Sequence, residues 1–225
     1  MCGRFVLVSD LAAIEEAFGV PPSSVEISKS YNIAPGITVA AVIVEETRRL
    51  VRFTWGLVPS WAKDPSIGNR LINARAETLA EKPSFRNALK GRRCLIIADG
   101  FYEWQKQGKR KVPMYFCLTS EKPFAFAGLY ELWTSPDGEA LRTCTIITTA
   151  ANDLVRPIHS RMPAILPHTH ETLWLDPGIH DTHRLLPLLK PYEADNMTMY
   201  EVAPLVNSPF YDSPACITPV SPPSA

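Results

Sequence analysis

Short apolar stretches rich in β-branched and aromatic residues alternate along the chain with polar, proline-punctuated connections, and helical periodicity is scarce. Residues 6–8 read as a strand. Ser9 then caps a short amphipathic helix over residues 10–18, with Leu11, Ile14, Ala17 and Phe18 on one face. Further strands are predicted at 37–44, 50–57, 94–104, 114–118, 124–133, 142–149 and 197–202. Helical patterns at 75–79, 84–90, 151–155 and 171–175 are short and scattered, which argues against a parallel sheet built from regular βαβ units. The pattern predicts an α+β fold: one domain over residues 1–206, with a curved, mostly antiparallel, barrel-like sheet flanked by short helices. From Asn207 to Ala225 the chain is rich in Pro and Ser without periodicity, and reads as an extended or disordered end.

At 225 residues and 46% hydrophobic content the chain can bury a substantial core. No apolar run approaches the roughly 18 residues of a membrane span, and MCGRFVLVSD lacks a signal-peptide core. The expected location is cytoplasmic, at the nucleoid in a bacterium, with no membrane partner. Five cysteines without a CxxC fit neither a disulfide framework nor a structural zinc site. The 23 Lys and Arg balance 23 Asp and Glu, but 15 of the cations and only 6 of the acids lie between residues 46 and 111. Trp55, Trp61, Phe85 and Trp104 are interleaved with those cations. Cations pair with phosphates and ring faces accept unstacked bases, so this mixture suits a single-stranded nucleic acid groove. Solvated loops and helix faces use the same residues.

Cys2 changes the picture most. A small second residue permits removal of Met1, which leaves one residue carrying both an α-amine and a thiol. Their reference pKa values, about 7.7–8.0 and about 8.5, keep an appreciable fraction of each nucleophilic near neutrality. An aldehyde can take the amine to give an imine, and the neighbouring sulfur can then close a five-membered thiazolidine; only an N-terminal Cys does this. The competing reading is an incidental small residue behind the initiator. Cys94, Cys117 and Cys144 lie in apolar strand patterns and read as core, while Cys216 falls in the terminal segment.

Asn73 and Arg75, two apart in LINARAET, project to one side of an extended stretch, where an amide can orient a substrate and an Arg fork can hold a phosphate. Glu103, between Tyr102 and Trp104, invites burial that would raise its pKa into the range of a general acid or base. His159, in RPIHSRMP beside Arg161, is the histidine best placed to shuttle a proton. His168, His170, His180 and His183 cluster in a loop-rich stretch without a geometry zinc would need, so neither a metal nor a cofactor is expected.

MCGRF at the start, YNIAPG (31–36), WGLVPSW (55–61), NARAET (73–78), ADGFYEW (98–104) and PIHSRMP (157–163), in that order, resemble the SRAP family, the SOS response-associated peptidase-like or abasic-site processing proteins. The likeness spans about residues 1–205. It implies a compact α+β domain that binds single-stranded DNA, with Cys2 crosslinking to abasic sites and Asn73, Glu103 and His159 completing the active site. Arg4, Arg75 and Arg161 resemble phosphate contacts, and Pro35 and Trp61 resemble groups lining the strand's path. Lys82, Arg86 and the Arg92–Arg93 pair are additional phosphate-contact candidates. The implied activity is covalent abasic-site capture with lyase-like character and self-removal of Met1. The implied partner is single-stranded DNA, including its junctions with duplex, bound by a monomer. Two competing classes are a cysteine peptidase or amidase using Cys2 and His159, and a noncovalent single-strand binding module.

Overall fold

The computed structural model describes residues 2–220. Its strands, in chain order, are β1 (Phe5–Leu7), β2 (Ser30–Ile33), β3 (Thr38–Val44), β4 (Arg48–Trp55), β5 (Asn73–Arg75), β6 (Arg93–Ala98), β7 (Gly100–Gln107), β8 (Arg110–Leu118), β9 (Phe124–Thr134), β10 (Ala140–Ala150), β11 (Arg161–Pro163), β12 (Ile165–Leu166) and β13 (Met197–Glu201). The α-helices are α1 (Leu11–Phe18), α2 (Arg86–Gly91), α3 (His168–Leu175) and α4 (Thr182–Leu185).

Five strands close on themselves. β3 pairs antiparallel with β4 and β6, β9 pairs antiparallel with β6 and β10, and a parallel contact between β10 and β4, at Thr143–Thr54 and Cys144–Trp55, seals the ring. β5 lies parallel to β10 farther along, with Asn73 opposite Ile146. A second sheet, ordered β13-β8-β7-β1-β2, is antiparallel throughout. The expected α+β class, with a curved and mostly antiparallel sheet, is what the structure shows. Among the described residues no helix is long and apolar enough to cross a membrane.

The apolar run 94–104, predicted as one strand, is two strands in different sheets. The break falls at Asp99, whose carboxylate accepts hydrogen bonds from the Val8 amide (2.5 Å), the Ser9 amide (2.7 Å) and the Ser9 hydroxyl (2.6 Å). Next to it, a Cβ on Gly100 would lie 2.3 Å from the end of the Tyr115 ring, so glycine leaves the space that this ring occupies. Because Ser9 is engaged by Asp99, the cap of α1 is Asp10, whose side chain accepts from the Ala13 amide at 2.9 Å. Residues 151–155 form turns rather than the predicted helix, pinned by the Asn152 side chain accepting from the Val155 amide at 3.0 Å.

Alternation along the second sheet gives it two apolar faces. Phe5, Leu7, Phe101 and Phe116 join the main core against the barrel. Val6, Tyr102 and Tyr115 point the other way, where Val202, Val206 and Cys216 cover them. The end of the chain is therefore neither extended nor disordered through residue 220: it is a strap over that aromatic face. It lacks a ladder of its own, so its backbone polar groups are met partly by side chains. Asn32 donates to the Ser208 and Tyr211 carbonyls (2.9 and 2.7 Å), and Asp212 accepts from the Tyr31 amide (2.6 Å) and the Ser30 hydroxyl (2.8 Å). Composition misses this because the apolar face the strap covers is built by strands distant in sequence. The last five residues of the predicted end lie outside the described residues.

Candidate active site at the chain start

Pairing of β1 with β7 places Phe5 opposite Phe101, and the Tyr102 amide donates to the Arg4 carbonyl at 3.0 Å. That register carries the first residues of the chain alongside Glu103. From the barrel side, β5 presents Asn73, whose Nδ2 donates to the Cys2 carbonyl oxygen at 2.8 Å. Asn73 Oδ1 is buried and has no hydrogen-bond partner among the described residues. A buried acceptor in that condition is costly unless something donates to it.

Glu103 lies two residues beyond Phe101, on the core-facing side of β7, and is 4% exposed. Desolvation raises its carboxyl above the ordinary value, and the neighbouring His159 works the other way. Cys2 is 0% exposed. Burial pushes its thiol well above the usual range, the negative charge of Glu103 adds to this, and a weak bond from Sγ to the Arg4 carbonyl at 3.7 Å works the other way. The sulfur is held as a neutral thiol. His159 stands in the loop between β10 and β11, with its amide donating to the Val155 carbonyl at 2.9 Å. Its Nδ1 lies 3.0 Å from the Arg161 amide nitrogen and 3.1 Å from the Arg161 carbonyl oxygen, so the backbone of Arg161 orients the ring. Glu103 and His159, with Trp104, Lys111 and Asn207, line a cleft of about 490 Å³. Cys2, Asn73, Glu103 and His159, spread over most of the sequence, thus converge.

The expected DNA contacts are more varied. Arg75 is exposed at the end of β5. Arg161 grips Glu77 with both arms of its fork, at 2.5 and 2.9 Å, and also donates to the Thr148 carbonyl at 2.6 Å. That hydrogen bonding holds the Glu77 carboxyl below its ordinary value. Arg4 uses one guanidinium nitrogen on the Asn32 side chain (2.7 Å) and the Val206 carbonyl (2.8 Å), which ties it to the strap. Pro35 is exposed and Trp61 is 56% exposed. Lys82 and Arg86 face solvent. Arg93 does not: it is buried and donates to the carbonyls of Leu89, Trp174 and Asp176, so it is a structural clamp rather than a phosphate contact. Arg92 is paired with buried Glu131 at 2.6 Å. Of the clustered histidines, His168 approaches Glu171 at 2.8 Å and His180 meets the Lys90 carbonyl at 2.9 Å.

Sequence reasoning missed Lys111 and Asn207 as cleft residues and Glu77 as the partner of Arg161. In the sequence Lys111 is one cation of a basic run, and Asn207 falls where the periodic pattern ends.

Residues 1–209 match the family described as SOS response associated peptidase, SRAP. The chain belongs to the SRAP family. Within SRAP it is 50% identical over 222 residues to the abasic site processing protein YoqW of Bacillus subtilis (strain 168), covering 96% of this chain and 99% of that protein. It is 38% identical over 197 residues to the abasic site processing protein HMCES of Gallus gallus, covering 77% of this chain and 58% of that longer protein. A crystal structure of a Bacteroides thetaiotaomicron protein superposes with a TM-score of 0.89 at 28% identity, spanning 98% of this chain and 100% of that one. The SRAP resemblance carried by the six sequence motifs is therefore correct.

Proposed function

We propose that this SRAP protein binds single-stranded DNA as a monomer and captures abasic sites covalently through Cys2. Kinship with proteins named for abasic site processing supports the reading. The observation that carries it is the 2.8 Å bond from Asn73 to the Cys2 carbonyl, which fixes the second residue of the chain beside Glu103 and His159.

The chemistry begins with hydrolysis of the Met1–Cys2 amide, by the protein itself or by a processing enzyme, which consumes one water and frees the Cys2 α-amine. An abasic deoxyribose is mostly a closed hemiacetal. The raised Glu103 carboxyl protonates its ring oxygen and recovers a proton from the C1′ hydroxyl, exposing the C1′ aldehyde. The amine adds to C1′ and water leaves, giving an imine. Asn73 Oδ1 accepts an N–H of the attacking amine, and His159 delivers a proton to the departing hydroxyl. The sulfur then adds to the imine carbon while the thiol proton passes to nitrogen, closing the thiazolidine. Aldehyde plus aminothiol gives thiazolidine plus one water, and the strand is held intact. The imine also acidifies C2′, so β-elimination is the side route that gives the site lyase character. Arg75 holds a flanking phosphate, Arg161 takes another by exchanging Glu77 for it, and Trp61 stacks where the strand meets a duplex. No step requires a metal or cofactor.

A cysteine peptidase would need a Cys2 thiolate, and a buried thiol pushed upward in pKa weighs against that route. The test is intact mass after incubation with a single strand bearing one abasic site. The expected product is an adduct at the summed mass less one water, stable to denaturation. An amino-terminal extension ahead of Cys2 keeps the thiol and removes the amine; continued crosslinking by that protein would overturn the imine step. Cys2→Ser retains the amine and is expected to give a hydrolytically labile adduct.

A further inference from the structure

The strap carries an exposed aromatic tip that packing does not explain. Phe210 is 96% exposed, beside partly exposed Tyr211 and Leu205. A lone apolar residue on a surface is ordinary, but this one is presented by a pinned turn. The Tyr211 amide donates to the Ser208 carbonyl at 3.2 Å, which places Pro209 and Phe210 at the two central positions, where proline presets the backbone. The base of the turn is anchored by Asn32, which donates to the carbonyls of Ser208 and Tyr211. The ring is thus held outward on a stiff support.

Its surroundings suit a nucleic acid base. Pro204, Leu205, Asn207, Ser208, Phe210 and Tyr211 border a hollow of about 520 Å³, and Asn207 is also a wall of the catalytic cleft. The Asn207 side chain accepts from the Trp104 indole at 2.7 Å, joining strap and β7 where the two hollows meet. Across the cleft stands the β7–β8 hairpin. Lys106 is directly opposite Lys111 in its register, and Trp104 is opposite Pro113, so Trp104, Lys106 and Lys111 share one face. Lys106, Lys109, Arg110 and Lys111 are all exposed; the nearest acid on β7, Glu103, is buried on the opposite face of the strand, and Glu201 of β13 lies opposite Met114, three residues beyond Lys111.

We infer that the Phe210 turn and the cationic β7–β8 hairpin form a second subsite for single-stranded DNA, in which Phe210 stacks on a base neighbouring the abasic nucleotide and Lys111 pairs with the adjoining phosphate. The inference rests on the DNA reading above and adds an occupant for a surface outside the catalytic four.

The experiment measures fluorescence anisotropy of an undamaged oligothymidylate with the Cys2→Ala protein, across a salt series. Phe210→Ala is expected to weaken binding at least about fivefold, with the slope of log affinity against log salt unchanged, because a stacked ring releases no counterions. Phe210→Trp is expected to restore or tighten binding. Lys111→Gln is expected to reduce the slope by about 0.7. Equal affinity of Phe210→Ala and its parent overturns the proposal. So does a concentration-dependent self-association that Phe210→Ala abolishes while DNA affinity stays the same, since the turn would then serve a second copy of the chain. The two readings separate cleanly. If the unmodified protein captures abasic DNA yet Phe210→Ala binds normally, the subsite alone fails. If Phe210→Ala weakens binding but no covalent adduct ever forms, the capture chemistry alone fails.

Discussion

Glu103 and Glu171 are both buried glutamates whose carboxyls desolvation raises, yet they sit in opposite settings. Glu171, in the first turn of α3, faces Arg48 at 3.0 Å and His168 at 2.8 Å, and both neighbours work against its shift. Arg48 also donates to the Phe18 carbonyl at 2.6 Å and the Thr172 hydroxyl at 3.0 Å, so the cluster fastens β4, the end of α1 and α3 together. Glu103 instead forms a wall of an open cleft, beside the chain start and His159. A raised carboxyl therefore marks burial in both places. Chemistry is indicated only where it borders space that a substrate can enter and a nucleophile stands next to it.

That contrast can be broken by exchanging the two carboxylates for amides. Glu103→Gln is expected to slow covalent capture of abasic DNA by about 10²- to 10⁴-fold, the usual worth of a positioned acid or base, while Glu171→Gln captures at the parental rate. Quenched time courses on denaturing gels check this, and equal losses in both variants would erase the distinction. Stability is expected to show the reverse. Glu171→Gln leaves Arg48 without its counter-charge and is expected to cost about 1–3 kcal/mol in urea unfolding at pH 7, whereas Glu103→Gln costs nothing or stabilises.

A smaller effect isolates placement from proton transfer. Asn73→Ala removes the bond to the Cys2 carbonyl and is expected to slow capture about tenfold, the worth of one hydrogen bond, with DNA affinity unchanged within twofold in the anisotropy assay. The smallest effect is on pH dependence. The folded pKa of Glu103 lies above the ordinary 4.5, so the folded state binds its proton more tightly than the unfolded chain does. The linked stability is fully present below 4.5 and is lost as pH rises through the raised value. Unfolding of the parent, compared with Glu103→Gln, is expected to show that decline over the same window; parallel profiles would mean that Glu103 titrates as an ordinary surface acid.

Much of the fold was legible because β-branched runs mark strands directly, as at 38–44 and 124–134. What stayed hidden depended on tertiary partners. No local pattern told that Asp99 would break an apolar run by reaching Val8 and Ser9, or that short β5 would be held by β10. At the candidate site, the burial of Glu103 was legible because aromatic neighbours in a strand foretell it, whereas Cys2 was singled out by the chemistry its position would allow rather than by any pattern. Arg93 misled for a physical reason: charge is visible in sequence, but the three carbonyls that consume it come from α2 and from the end of α3.

Arg4, two residues from Cys2, reaches the carbonyl of Val206, so the beginning and the end of the polypeptide are stitched to each other over the second sheet. Under the proposed capture chemistry, the strap splints the residue that attacks the sugar. Trimming the chain back to about residue 203 would spare Cys2, Asn73, Glu103 and His159 but remove the Val206 carbonyl that Arg4 holds, so in the proposed mechanism the strap is a remote handle on the placement of Cys2.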